Sequence, residues 1–356
     1  MKILLVYSFK KNTIPLGIHC ERALTNLGHN VIRHESATVS LYDRLLFRPA
    51  NKLLSNLRIR RDQPFGKDSG LNSISLRNDR LIKAVQEAKP DLVFILRGMD
   101  YWPETLLKIK RENKIKLICW WLEGPKVIEK SLEKAPYYDY YFINSSYSVE
   151  EHKRQGIKSC YYLPFGVDLQ FYKKIVLANG DYNRYKCDVG FAGAWDQNRQ
   201  NLLQGLTGFD NVSIWGPKWR KRNKGNKGNK EMLKLIKGDG IYHDEVVKFY
   251  NSAKINININ AWYNYIVSGV SLRVFDIPAC GGFLLTDFVE ELPELYKLPE
   301  EMETFKTQDE FMDKIKYYLK NDSKRKKISE NGYRRVITDH TYEIRMKQLL
   351  DIILGR

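Results

Sequence analysis

Short apolar runs alternate with helical stretches along this chain, and halfway through the alternation starts over. Lys2–Tyr7 (KILLVY) reads as a buried strand, Ile18–Leu27 has helical spacing and stops at Gly28, and Asn30–His34 is a second short strand. Further strands are predicted at Leu92–Leu96, Ile115–Trp121, Tyr138–Ile143 and Ser159–Leu163, with helices at Trp102–Arg111 and Ser148–Gln155. The pattern then restarts with strands at Asp188–Ala192, Val212–Trp215, Lys254–Asn260 and Gly282–Thr286. Helices at Asn198–Leu206, Glu245–Ala253 and Ser271–Ala279 separate them, and Asp309–Leu319, Ser323–Arg335 and Tyr342–Leu354 close the chain. A helix between two strands returns the chain to the same sheet edge, so the neighbours run parallel. The predicted class is α/β: two Rossmann-like, doubly wound parallel-sheet domains facing a central cleft. Boundaries are placed at 1–165, a linker over 166–186, a second domain over 187–335, and a closing helix over 336–356 that packs back on the first domain. Residues 36–80 are basic and poorly periodic, and yield no pattern of their own.

Parallel open sheets bind ligands beyond the carboxyl ends of their strands, so both halves should aim that edge into the shared crevice. Composition narrows the partners. Among 356 residues, 59 Lys and Arg face 42 Asp and Glu, a net charge of +17, which favours polyanions: phosphorylated ligands, anionic lipid or nucleic acid. No apolar run reaches the roughly 18–20 residues of a membrane span. Five dispersed cysteines without a CxxC pair argue against zinc and a disulfide framework and for a reducing cytoplasm.

Chemistry concentrates in Ser268–Asp287 (SGVSLRVFDIPACGGFLLTD). Gly269 permits close backbone approach, and Ser271 is a candidate cap for the helix that follows. The entrance Gly269-Val270-Ser271 is therefore expected to offer free N–H groups to an anion. Arg273 and Asp276, three apart, share a helix face, which sets a cation near a phosphate and a carboxylate a turn deeper, within reach of a ribose diol. A capped surface helix with an internal ion pair would read the same way.

The run SLRVFDIPACGGFLLTD resembles the signature of CgeB-like (spore maturation protein type) glycosyltransferases of the two-domain GT-B class. Asp188–Gly193 (DVGFAG) followed by Arg199, VSIWG at 212–216, YLPFGVD at 162–168, Asn331-Gly332-Tyr333 and His340-Thr341-Tyr342 resemble other segments of that family in the same order. The resemblance spans roughly residues 117–350 and is strongest after 160. One departure is Asp276, where the family usually carries Glu; the charge is kept on a side chain one methylene shorter.

The resemblance implies transfer of a sugar from a nucleoside diphosphate donor, UDP before GDP or dTDP, to a glycan, lipid-linked or protein acceptor. No cofactor or metal is expected; Arg199, Arg273 and the Gly269–Ser271 helix start would meet the charge of the departing diphosphate. Gly193, Trp215, Gly216 and Tyr242 would border the base, although Trp215 and Tyr242 serve equally as core residues.

A catalytic base would come from the first half. Glu123, in the run WWLEGP, ranks first on position, with Asp100 and His19 as further candidates at strand carboxyl ends. Trp120 and Trp121 are either a sugar-stacking platform or core. Lys218–Lys237 carries nine Lys or Arg against the single acid Glu231, and suits either a solvated loop or peripheral contact with an anionic inner-membrane face. A basic nucleic-acid-binding protein is the rival outside enzymes, but no RRM, KH or zinc signature supports it, and no nucleic-acid partner is expected. An epimerase or hydrolase on the same scaffold is the rival within them.

Overall fold

The computed structural model describes residues 1–11, 13–59, 63–113, 115–223 and 230–356. Two six-stranded parallel sheets carry the chain. In the first, β1 (Lys2–Tyr7), β2 (Asn30–Glu35), β3 (Leu92–Leu96), β4 (Lys116–Trp121), β5 (Tyr140–Ile143) and β6 (Cys160–Tyr162) lie in the order β2-β1-β3-β4-β5-β6. In the second, β7 (Cys187–Ala192), β8 (Val212–Trp215), β9 (Ile236–Gly238), β10 (Ala253–Asn258), β11 (Leu284–Asp287) and β12 (Glu303–Phe305) lie in the order β12-β11-β10-β7-β8-β9. The two-domain α/β class is as the alternation predicts; β9 and β12, three residues each, were not predicted.

Helices cover both faces, so the strands are apolar on both sides. Leu5, Phe94, Trp120 and Phe142 pack on one face of the first sheet, and Leu4, Val6, Ile95 and Trp121 on the other. Successive side chains point to opposite faces. This corrects the stacking-platform alternative: Trp120 and Trp121 are fully buried on opposite sides of β4 and cannot form one surface.

Part of the predicted linker is helical. The helix Asn179–Tyr185 belongs to the second domain, where Tyr185 donates its hydroxyl to Glu245 (2.7 Å) and Lys248 pairs with Asp181 (2.8 Å). The chain crosses between domains twice, and the crossings lie side by side. Val167 N–H donates to His340 O (2.8 Å) and Tyr342 N–H to Val167 O (3.1 Å). The last helix, Tyr342–Leu354, then returns to the first domain, where Lys116 Nζ donates to Ile353 O (2.8 Å). Part of the basic stretch, residues 224–229, lies outside the described residues.

Candidate active site

The carboxyl ends of both sheets open on one cleft of about 480 Å³. Thr13–Pro15, Leu122–Gly124, Asn144 and Phe165 line its first-domain wall; Gly193, Arg199, Trp215, Gly216, Tyr242, Val270, Ser271, Arg273 and Asp276 lie on the opposite wall.

Behind its second-domain wall runs β10, which leads to the lining residue Asn260. The run KININ alternates, and Ile255 and Ile257 enter the second domain's core while Asn256 and Asn258 face the other way. Both sets are buried, because β7 and β11 flank β10 and helices cover it. A buried amide needs partners, and Asn258 finds them within the site. Its Nδ2 donates to Thr286 Oγ1 (2.9 Å), and its Oδ1 accepts from Ser271 Oγ (3.0 Å) and, at 3.4 Å, from Arg273 Nη1. Asp287 at the end of β11 accepts the Asn260 N–H on both oxygens (3.2 Å each). Asp287 is thus a buried organiser at the end of β11.

Arg199 and Arg273 meet on this wall. Arg199 Nε donates to Ile259 O (2.8 Å) and Nη1 to Ala194 O (3.0 Å). Burial, and then the neighbouring Arg273 guanidinium, push the Arg199 pKa down to about 10, so it remains cationic at neutral pH. Neither arginine forms an ion pair among the described residues. Two guanidinium groups brought together without a carboxylate partner form a site for a polyanion.

The entrance to the helix differs from expectation. The helix runs Arg273–Ala279 with Leu272 at its N-cap, and the Ser271 hydroxyl is held by Asn258 and does not cap it. Gly269, at φ +94°, donates its N–H to both Glu291 oxygens (3.1 Å each), and Val270 donates its N–H to Asn144 O (3.3 Å) across the domain boundary. These two N–H groups are therefore spent, and Gly269 sits behind the cleft wall, whereas Val270 and Ser271 line the cleft beside the two guanidinium groups. Asp276 does line the cleft, but burial raises its carboxyl pKa well above the usual range, against the opposing pull of Arg273 and a Tyr172 hydroxyl. Burial thus works against the free carboxylate that the spacing predicts.

Gly216 is demanded by packing. A Cβ there would lie 1.8 Å from Gly193 O, which already accepts from Trp219 Nε1 (2.8 Å). A Cβ on Gly193 would in turn meet Arg273 Nη2 at 3.1 Å and the Phe191 ring at 2.8 Å. The Gly216→Ala variant should lose about 3 kcal/mol of stability through forced backbone displacement, read as a lower urea midpoint. Tyr242 stands half-exposed on the rim.

Of the three predicted bases, only Glu123 lines the cleft, with its Oε1 2.7 Å from Arg97 Nε. Asp100 pairs with Arg77 (2.5 Å) outside the cleft lining. His19 is also outside it: the helix Leu16–Asn26 turns its ring inward, where Nδ1 meets Asp168 Oδ2 (2.7 Å) and the ring stacks on Tyr342. It braces the crossing segment and is removed from any acceptor in the cleft.

Four buried polar atoms of cleft-lining residues have no partner among the described residues: Trp215 Nε1, Trp262 Nε1, Asn144 Oδ1 and Asn260 Oδ1. Buried polar groups are normally satisfied, so such a cluster marks a place where a polar ligand completes the network. Sequence reasoning singled out Trp215 alone; KININ was the available signal for the asparagines of β10.

Asp287 supplies a pH dependence. Burial, opposed by the Asn260 and Thr286 hydrogen bonds, raises its pKa from 3.8 to about 6. An acid raised on folding stabilises least when ionised, so its contribution is full below pH 4 and is lost as pH rises through 6. About two pKa units correspond to about 3 kcal/mol. Urea midpoints of the wild type should fall over this window relative to Asp287→Asn, whose profile should be flatter.

The family model described as "Glycosyl transferase-like" matches residues 198–351, the segment that contains Arg199, the asparagines of β10 and Arg273. Residues 198–351, under half of the chain, are thus similar to that family. No curated protein matches the chain by sequence. Among solved structures, sucrose-phosphate synthase of Thermosynechococcus elongatus is similar at TM-score 0.71 and 12% identity, over 99% of each chain. HepE of Anabaena, in complex with UDP and glucose, is similar at TM-score 0.68 and 13% identity over the whole of both chains. A glycosyltransferase from Rickettsia africae is similar at TM-score 0.65 and 13% identity, over 99% of this chain and 97% of that one. The fold is GT-B, and the enzyme is a glycosyltransferase. No helix among the described residues is long and apolar enough to cross a membrane.

Proposed function

We propose that this glycosyltransferase moves a sugar from a nucleoside diphosphate donor, of which UDP-sugar is the first choice, to a glycan, lipid-linked or protein acceptor. The pairing of Arg199 with Arg273 in the cleft, without a carboxylate partner, carries this reading. The diphosphate lies against the two guanidinium groups, Asp276 faces the ribose, and Trp215, Gly216 and Tyr242 border the base. HepE, a structural neighbour in complex with UDP-glucose, supports the choice of base and sugar class. The motif run from Arg273 to Asp287 supports a CgeB-like subtype.

In the reaction, the bond from the anomeric carbon to the diphosphate oxygen breaks with its electron pair, and the acceptor oxygen forms the new bond. Negative charge gathers on the diphosphate while the sugar becomes cationic, and preorganised guanidinium groups meet that charge without a bound metal. In an inverting course Glu123 takes the acceptor's proton, for which its pairing with Arg97 must loosen. The five cysteines are buried and free, in keeping with a cytoplasmic enzyme.

Soaking with UDP, GDP and dTDP in turn tests the reading. Density for the diphosphate between Arg199 and Arg273, with the base against Trp215, is the expected result. An empty cleft with all three, or a diphosphate bound elsewhere, ends the proposal. Assays with and without acceptor separate transfer from epimerisation or hydrolysis, which release product without one.

A further inference from the structure

The connection from β2 to the helix Ser73–Ala88 is a helical excursion that the sheet does not cover. A wide turn, Asp43–Phe47, runs directly into the helix Arg48–Asn56, which contributes no fully buried residue to the core. Phe47, packed on the Phe65 ring, and the Asn51 amide, bonded to the Phe65 backbone, close the excursion on itself, and Ser40 N–H donates to Ser73 Oγ (3.0 Å) where it joins the body. The opposite side is apolar and open to solvent. Tyr42, Leu46, Leu53 and Leu57, at intervals of four, seven and four, are 50%, 51%, 59% and 60% exposed, and Leu45 beside them is 72% exposed. Such a stripe, left uncovered, marks an interaction surface.

Its charge says what covers it. Arg44, Arg48, Lys52 and Arg58 flank the stripe, and none has an ion pair among the described residues. The single acid between residues 41 and 59 is Asp43, whose carboxylate is turned inward to accept the Ser73 N–H (2.6 Å). An apolar stripe edged by unpaired cations is the pattern of a helix lying in the interface of an anionic bilayer. A second copy docked face to face would set these cations against each other. The excursion leaves from the carboxyl end of β2, the sheet edge that opens on the cleft.

We infer that residues 41–59 dock the first domain on an anionic lipid surface, with the apolar stripe in the acyl boundary and the basic flank against the headgroups. The inference concerns binding and stands whether or not the donor reading holds; if that reading holds, a lipid-linked acceptor would reach the cleft from the docked edge.

The test is sedimentation of the full chain with phosphatidylcholine vesicles, with and without phosphatidylglycerol. Binding should require the anionic lipid. Leu46→Asp combined with Leu53→Asp should lower the bound fraction roughly tenfold or more, and Arg48→Glu with Lys52→Glu should abolish the anionic preference at roughly several-fold per charge. A thermal unfolding midpoint equal to the wild type shows that a variant is folded. The inference is overturned if the wild type stays in the supernatant or if the folded Leu46/Leu53 double variant binds as the wild type does. Loss of binding through Lys221→Glu with Arg222→Glu alone would assign docking to the other basic stretch and overturn it equally. So would a wild-type dimer that the Leu46/Leu53 variant splits without any vesicle binding.

Discussion

Arg273→Ala should lower kcat about 10²- to 10³-fold, the scale expected when one preorganised charge-stabilising donor is removed, while leaving the fold intact. The two halves of that expectation come from the same geometry. Arg273 is held by a long hydrogen bond, at 3.4 Å to Asn258, and by the Tyr250 hydroxyl, and its guanidinium is one cause of the lowered Arg199 pKa. Without ligand the two cations repel, so deleting one costs little stability and relieves some strain. Burial already pushes the Asp276 carboxyl toward its neutral form, and losing the opposing Arg273 pushes it further in that direction. The unliganded variant should therefore unfold at the wild-type midpoint or slightly above it. With UDP present the order should reverse, because the stabilisation a ligand confers scales with its affinity. Arg273→Lys keeps the charge but loses the planar fork, and should recover part of the rate. Arg199→Ala is a less clean experiment, since Arg199 also ties Ile259 and Ala194 in place. A full-rate Arg273→Ala enzyme would remove the guanidinium pair from the mechanism.

How far the chain could be read in advance follows from what each element depends on. Ten of the strands are apolar runs or alternations within one segment, and periodicity finds those. β9 and β12 are three residues each at sheet edges, and, unlike the equally short edge strand β6 within its apolar run, they carry charged residues, Lys237 and Glu303, that break the apolar pattern. Residues 41–59 fail for another reason: most of their large apolar side chains, Phe47 excepted, face outward, so the usual link between hydrophobic period and burial is broken. At the site, Arg199, Arg273 and Asp276 stand in recognisable runs, but their surroundings were not legible. Ser271 precedes a helix as a cap would, yet β10, thirteen residues earlier, claims its hydroxyl through Asn258. The alternation of KININ was visible; that its polar side faces the site and not water depends on β10 lying between β7 and β11. His19 and Asp100 occupy the expected topological position, and neighbours distant in sequence, Asp168 and Arg77, determine what they do.

Glu291 is the residue whose importance only the folded chain discloses, and Glu291→Ala should be among the most destabilising single changes. Its side chain is buried, and donors from both domains converge on it. From the first domain come the Ser146 N–H and hydroxyl, each 2.8 Å from Oε1. From the second come the Gly269 N–H, 3.1 Å from each oxygen, and the Ser268 hydroxyl. Alanine removes the acceptor and leaves these donors buried, at about 1–3 kcal/mol for each that finds no replacement. Partial relaxation and water entry keep the total below the sum, so a loss of about 3–5 kcal/mol is expected. Glutamine retains the volume and one acceptor oxygen but turns an NH₂ toward N–H and O–H groups, and should fall between alanine and the wild type. Activity should fall with stability in the alanine variant even where the protein remains folded. Gly269 and Val270 lead into Arg273, and once the loop is released from Glu291 the guanidinium loses its fixed approach to Arg199. Urea midpoints measured beside kcat separate the two effects, and an alanine variant that unfolds with the wild type would show that the carboxylate is not the clamp between the domains.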